Sequence, residues 1–383
     1  MKILQIIPTL DRSGAEKQMT LLACGLAKED FEIHVCALTR GGPYADDLRK
    51  AGVPLTVIGK KRKISFSAYR RLKSVIRAFR PDIVHTWIFA ANAYGRAAAS
   101  ACGVPKIVCG ERCVDPWKES WHLAIDRALA KKTDVIAANS VGVRDFYAAR
   151  GIPASLFEII PNAATPLPPS RVSKEEILRG LGVRLEPGKP LPYLIGTVAR
   201  LWPQKRIRDA IWSAEQLKFT DLDFHLVVVG DGPERENLLR YRDEIRITDR
   251  VHFIGHRDDV HHFVPHFDLL WSTSEYEGLS NTVMEAMSAG VPVVASDIPG
   301  HRELVVPGRT GILIPEFYGE PIRRRTEFCR ESFFLLRPEA DETRRRMGRA
   351  AKERIETEFG LSQMLRRYAE LYRRIHNQER RSV

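Results

Sequence analysis

A chain of 383 residues with a formal charge of +12 and 44% hydrophobic residues is too long for one ordinary core and is expected to form two globular domains. No apolar run approaches the ~20 residues of a membrane span. The run from Met1 to Pro8 is only strand-length and Asp11 follows almost at once, so a cytosolic chain without a signal peptide is expected. The six scattered cysteines argue against a disulfide framework, and the basic excess favours anionic partners.

Lys2 to Ile7 is a buried first strand. It runs into Ser13-Gly14-Ala15-Glu16 and a helix with Met19, Leu22, Ala23 and Leu26 on one face. A strand, a small-residue loop and a helix make the phosphate end of a Rossmann-like unit, and Gly14 lets the backbone approach a ligand closely. Strands follow at Phe31 to Leu38 and Leu55 to Ile58. No acid occurs from Lys60 to Arg80. The helix there, from about Ser65 to Phe79, sets Arg70, Arg71, Lys73 and Arg77 against an apolar stripe of Phe66, Tyr69, Leu72, Val75, Ile76 and Phe79. Two readings stand side by side: docking on an anionic membrane surface, or a solvated basic face whose apolar side packs on the sheet. Nucleic acid is not an expected partner, because no recognition fold or stacking platform accompanies this charge.

Asp82 to Thr86 is a strand ending at His85, and a helix from about Ala90 to Cys102 follows it. The strand from Lys106 to Cys109 brings Glu111 and Arg112 to its carboxyl end. His85, Glu111 and Arg112 are candidate acceptor contacts, the Arg112 fork being suited to a phosphate or carboxylate. Cys109 and Cys113 are loosely metal-like in spacing, but no second pair follows. After strands at Val135 to Asn139 and Phe157 to Ile160, the proline-rich run Thr165-Pro166-Leu167-Pro168-Pro169-Ser170 is the clearest linker. It divides the chain into domains at 1–168 and 169–360, with a last helical segment at 361–383.

The second half restarts with a strand from Leu194 to Val198, then Arg200 and Lys205. The apolar strand Phe224 to Val229 leads into Gly230-Asp231-Gly232-Pro233. Asp221-Leu222-Asp223 precedes this strand and reads as a turn. His261, His262 and His266, near Asp258 and Asp259, read as solvated helix faces, so no metal or other cofactor is expected. A buried strand from Leu269 to Ser272 runs into a polar loop, and Ser280 is placed to cap a helix that starts near Asn281. Gly290 and Pro292 end that helix before the strand Val293 to Ala295. Around its first turn lie Gly278, Leu279, Ser280, Asn281 and Thr282. Free N–H groups and the macrodipole at such an end attract phosphate. Glu277 stands just before the helix and Glu285 one turn beyond Asn281, with seven residues between the two acids. Amides to hold a pyrophosphate, with carboxylates to accept sugar hydroxyls, suit a sugar nucleotide.

This stretch resembles the Glu-x7-Glu signature of the retaining family 4 (group 1) glycosyltransferases of GT-B fold. The likeness runs from Met1 to about Pro315 and again from about Glu339 to His376. It implies an α/β chain of two facing Rossmann-like domains with a cleft between them. Residues 1–168 would bind the acceptor, 169–360 would bind the nucleotide sugar, and the last helix would return to the first domain. The implied activity is that of a hexosyltransferase. It would move a sugar from a nucleoside-diphosphate donor to a glycan or lipid-linked acceptor, with retention of configuration and without a metal. The setting would be surface polysaccharide or glycolipid synthesis, in the cytoplasm or on the inner face of the cell membrane. By the same resemblance, Glu277 contacts the transferred sugar and Glu285 the ribose hydroxyls. Arg200 and Lys205 clamp the diphosphate and offset charge on the leaving group, and the Gly230–Gly232 turn lies near the nucleotide.

Two departures stand out. The family commonly has a histidine about where Glu111 or Arg112 stands here. Between about Glu316 and Pro338 the likeness stops. There Arg323-Arg324-Arg325 and Phe333-Phe334-Leu335-Leu336 show poor helical patterning, as expected of an altered or inserted segment. Two alternatives stay in view: an epimerase or phosphorylase of the same fold, or, favoured by these two departures, a catalytically impaired donor-binding scaffold.

Overall fold

The computed structural model describes residues 1–316 and 320–378. Residues 317–319 of the unmatched segment and 379–383 of the last segment lie outside the described residues. The chain forms two compact units: residues 1–163 together with the last helix, and residues 164–360.

In the first unit the elements run β1 (Lys2–Ile7), α1 (Gly14–Leu26), β2 (Glu32–Ala37), α2 (Tyr44–Lys50), β3 (Leu55–Val57), α3 (Phe66–Phe79), β4 (Ile83–Trp87), α4 (Ile88–Ala101), β5 (Lys106–Glu111), α5 (Ser120–Ala130), β6 (Val135–Ala138), α6 (Val141–Ala148) and β7 (Phe157–Ile159). The strands pair in parallel in the order β3-β2-β1-β4-β5-β6-β7. A parallel sheet covered on both faces needs near-continuous apolar strands, and Ile3 to Ile7 are all fully buried. The strand order reverses between β1 and β4, and ligands bind at the carboxyl ends beside such a reversal.

Ser65 caps α3 by accepting a hydrogen bond from the Ala68 amide at 3.2 Å. Its apolar stripe packs on the sheet, with Ala68, Leu72 and Ile76 buried among Leu4, Ile6 and Val84. Ile64 and Phe66, at the start of the helix, remain 77% and 81% exposed.

The second unit holds α7 (Lys174–Gly180), β8 (Tyr193–Val198), α8 (Ile207–Leu217), β9 (Phe224–Val229), α9 (Arg235–Glu244), β10 (Val251–Gly255), β11 (Leu269–Ser272), α10 (Asn281–Ser288), β12 (Val293–Ser296), α11 (Pro299–Arg302), β13 (Gly311–Ile314), α12 (Pro321–Leu336) and α13 (Asp341–Glu358). Its sheet, β10-β9-β8-β11-β12-β13, repeats the winding of the first six strands of the other and reverses between β8 and β11. The last helix, α14 (Leu361–Asn377), belongs to the first unit. It packs on α1 so closely that a Cβ on Gly25 would lie 2.4 Å from a Leu365 methyl group.

The structure corrects two expectations. The segment after Glu316 is not poorly patterned: α12 is a packed helix whose buried stripe is Arg324, Phe328, Ser332, Leu335 and Leu336. Two members of that stripe are polar, which hid it. Trp271 Nε1 donates to Ser332 Oγ at 2.8 Å, while Arg324 and Arg325 each reach Asp209 at 2.5 Å. One of the two features favouring an impaired scaffold is thereby removed. The histidine-rich stretch forms two short 3₁₀ turns, Val260–His262 and Val264–His266, not solvated helix faces. His262 Nδ1 accepts from the Arg171 amide at 3.1 Å and His266 lies 3.1 Å from Ser170 Oγ, so both fasten the linker. Among the described residues no group of three His, Cys, Asp or Glu side chains is placed to hold a metal ion. Nor is any described helix long and apolar enough to cross a membrane.

Candidate active site

In the second unit, the segments leaving β8 and β11 meet at the reversal of strand order. Backbone and side chains lace them together. The Glu275 amide donates to Gln204 O at 2.9 Å, Gln204 Nε2 to Tyr276 O at 2.7 Å, and Thr273 Oγ1 to Lys205 O at 2.8 Å. This lacing sets the Lys205 ammonium directly on Glu277 Oε1, which also accepts from Ser274 Oγ at 2.8 Å. Burial pushes the Glu277 carboxyl up. The charge and hydrogen bond of Lys205, with help from His301 and Ser274, outweigh it and hold the group below its ordinary value. The two residues carry opposite charge in a site largely screened from water.

Arg200 lies on the same segment as Lys205. Its guanidinium is exposed, 5.7 Å from the Trp202 ring centroid, and among the described residues it has no carboxylate partner. Arg206, next to Lys205, adopts a left-handed conformation (φ 47°) and pairs with Glu275 at 2.8 Å and Glu316 at 2.9 Å. His301 was not singled out in the sequence. It is fully buried, with Nδ1 2.8 Å from Ser296 O and Nε2 3.1 Å from Ser272 Oγ. Burial lowers its pKa, while the nearby Glu277 charge raises it less. The signal that could have found it is Pro299-Gly300 immediately before: a Cβ on Gly300 would lie 2.3 Å from Gly278 O. That glycine lets α11 close on the Glu277–Gly278 loop.

Gly278, Leu279 and Ser280 are buried, and Asn281, Thr282 and Glu285 are half-buried on the first turns of α10. Ser280 occupies the N-cap position but does not cap. Its hydroxyl lies 3.2 Å from that of Thr282, so the expected side-chain cap is corrected.

Gly230 and Gly232 bring the turn after β9 against the Arg200 segment. At Gly230 (φ 136°) a Cβ would fall 1.8 Å from Ala199 O, and at Gly232 one would fall 2.5 Å from Leu201 O. Gly230→Ala is therefore expected to cost about 1–3 kcal/mol in backbone strain alone, plus displacement of the Arg200 segment. Gly188, also at positive φ (81°) but facing open space, is the control: Gly188→Ala should cost only about 1–2 kcal/mol. Urea unfolding of both variants checks this, and only Gly230→Ala should also lose activity.

In the first unit, Gly14 is the exposed first residue of α1, after an extended Ser13 whose hydroxyl bonds Glu16 instead of capping. Glu16 also accepts from Thr9 Oγ1 at 3.0 Å. His85, Glu111 and Arg112 are all buried. His85 packs against Trp87 and Tyr368, with Nδ1 2.6 Å from the Tyr372 hydroxyl. Burial, and then the Arg112 charge, hold its pKa well below the ordinary value. Arg112 lies over Trp87 at 4.4 Å and donates to the Tyr368 hydroxyl and to Ile160 O. Glu111 accepts from Asn92 at 3.0 Å, and lies 3.2 Å from the Tyr147 hydroxyl and 3.8 Å from Lys118. Burial raises its pKa to about 7, against the pull of Lys118. The tyrosines of α14 and Lys118 are thus members of this network that the sequence did not flag.

Two doubly wound α/β units, with a lysine, a glutamate and a helix N-terminus assembled at the strand reversal of one of them, define a glycosyltransferase of GT-B fold. The family models described as Glycosyl transferases group 1 and Glycosyltransferase Family 4 match residues 186–354 and 12–166. The chain belongs to this family. It is 29% identical over 298 residues to a GDP-mannose-dependent alpha-mannosyltransferase of Mycolicibacterium smegmatis, covering 72% of this chain and 73% of that one. It is 27% identical over 343 residues to the UDP-Gal:alpha-D-GlcNAc-diphosphoundecaprenol alpha-1,3-galactosyltransferase of Escherichia coli, covering 81% and 82%. The fold matches Anabaena HepE in complex with UDP and glucose with a TM-score of 0.84 at 20% identity, covering 98% of this chain and all of that one.

Proposed function

We propose that this glycosyltransferase moves a hexose from a nucleoside-diphosphate sugar to a glycan or lipid-linked acceptor with retention of configuration. The setting we infer is surface polysaccharide or glycolipid synthesis. The observation that carries the reading is the meeting of Lys205 and Glu277 beside the first turn of α10. In this reading, Lys205, Arg200 and the amides of α10 bind the diphosphate, Glu285 binds the ribose, and Glu277 accepts hydrogen bonds from the sugar. The relatives' use of GDP-mannose and UDP-galactose supports a nucleoside-diphosphate donor.

Glu277 is already engaged by Lys205 and Ser274, which supports a role in holding the sugar over one as a nucleophile. We therefore favour a front-face route through an oxocarbenium-like transition state. The bond from the anomeric carbon to the diphosphate breaks, the acceptor oxygen bonds on the same face, and the acceptor proton passes to the leaving diphosphate. No metal is invoked, because Arg200, Lys205 and the helix end supply the positive charge. In the first unit, which we assign to the acceptor, Gly14 and the network of His85, Glu111 and Arg112 shape the ligand edge of the sheet. Exposed Ile64 and Phe66 beside Lys60–Lys63 support attachment to an anionic membrane on its cytoplasmic face.

A thermal-shift panel of nucleoside diphosphates and their sugars tests the donor site. At ~100 times its dissociation constant a donor should stabilise the protein by about 2.7 kcal/mol. The effect should appear with one base and be lost in Glu285→Ala. No shift with any nucleotide overturns the reading. Conversion of donor without acceptor would point to an epimerase instead.

A further inference from the structure

Trp117 and Trp121 are 52% and 55% exposed, the first in the segment that joins β5 to α5 and the second on the first turn of α5. With Phe89, at the start of α4, and His122 they form one aromatic patch at the carboxyl ends of β4 and β5. Trp121 stacks on His122 with centroids 3.4 Å apart. Phe89 and Trp117 stand edge-to-face at 5.8 Å, and each lies within 5.3 Å of His122.

Neither indole is loose. Trp117 Nε1 donates to Asp115 Oδ1 at 3.1 Å and Trp121 Nε1 to Glu119 Oε2 at 2.7 Å. Beneath them the fully buried Lys118 side chain bonds Asp126 at 2.9 Å and the Tyr147 hydroxyl at 2.7 Å. Tyr147 in turn donates to Asp115 at 2.8 Å. A buried lysine is a costly anchor for a surface segment. Two tryptophans with satisfied N–H groups and exposed rings are not what packing alone selects.

We propose that this patch is a sugar-stacking subsite for a neutral pyranose of the acceptor. The inference rests on the transferase reading above and names the chemistry of its acceptor. The electron-rich indole faces meet the C–H face of the ring, and Asp115 and Glu119 accept hydrogen bonds from its hydroxyls. The patch lies on the ligand edge of a doubly wound sheet. The same carboxylates disfavour phosphate-bearing partners by like charge, which separates this surface from the basic one at Lys60–Arg80. Lys118, 3.5 Å from Asp115, acts as a positioning residue that holds Trp117 in place through that carboxylate.

The test uses the full chain labelled with 5-fluorotryptophan, with the two resonances assigned through Trp117→Phe and Trp121→Phe. The probes are the methyl glycosides of glucose, galactose, mannose and N-acetylglucosamine, and vesicles of phosphatidylglycerol. At least one glycoside should shift both resonances saturably. Trp117→Ala or Trp121→Ala should weaken that binding at least tenfold, the phenylalanine variants should retain most of it, and the nucleotide-induced thermal shift should be unchanged in all. The subsite is overturned if a nucleotide still stabilises the protein but no glycoside moves either resonance. It is equally overturned if only the vesicles move them. Loss of the nucleotide shift in the unsubstituted chain would instead strike the transferase reading.

Discussion

Lys205→Ala is expected to lower kcat by about 10²- to 10³-fold, the loss seen when one preorganised charge-stabilising donor is removed from a transition state. The ammonium sits at the carboxyl end of β8 with its side chain 17% exposed, so its field is weakly screened by water. In the proposed reaction charge grows on the leaving diphosphate as the sugar departs, and an interaction that strengthens then raises kcat more than it lowers KM. A second effect follows from the ion pair. Without Lys205, Glu277 loses the partner that outweighs its burial, and its pKa must rise. The variant should therefore need a higher pH than the wild type for whatever activity remains. Lys205→Ala and Glu277→Gln act on one unit, so their losses should combine to much less than the product of the two. Steady-state kinetics of both single variants and the double variant, as a function of pH, make the measurement. Independent, multiplicative losses would remove the pair from the reaction.

Much of this architecture was legible because a parallel sheet demands continuous apolar strands. Phe224–Val229 and Leu269–Ser272 were read with the bounds they have, and α3 to within a residue. The pairing of Glu277 with Lys205 was prepared by motif but not visible as an ion pair, because its partners are 72 residues apart. The same distance problem hid the environment of the first unit's candidates. His85 and Arg112 meet tyrosines 287 and 256 residues away, so strand ends that looked like ligand-facing positions are closed over by α14. His301 and Lys118 escaped notice because each sits alone in sequence, and only the fold surrounds it with partners. Ser280 shows the reverse error: the residue type and position suit a cap, but a neighbouring hydroxyl takes the bond.

The clearest test of what the sequence concealed is Phe328→Ala, which is expected to destabilise the protein by about 3–5 kcal/mol. Phe328 is fully buried on α12 and stands edge-to-face with Trp271 at 6.3 Å, so truncation leaves a void beside the strand that leads to Glu277. Ile322, on the same helix but 65% exposed, supplies the control, and Ile322→Ala should stay within about 0.5 kcal/mol. Urea unfolding of the full chain distinguishes the two; equal, negligible losses would mean that the segment is an unpacked insertion after all. The prediction extends to activity through a chain of ion pairs. Arg324 on α12 bonds Glu316 at 3.1 Å, Glu316 bonds Arg206 at 2.9 Å, and Arg206 adjoins Lys205. A loosened α12 frees the segment that aims the lysine, and misplacing a catalytic cation by about 1 Å costs roughly 10²-fold. Phe328→Ala should therefore lose activity at temperatures where the protein is still folded, while Ile322→Ala keeps both. The helix whose pattern the sequence concealed is in this way tied to the residues proposed to bind the donor diphosphate.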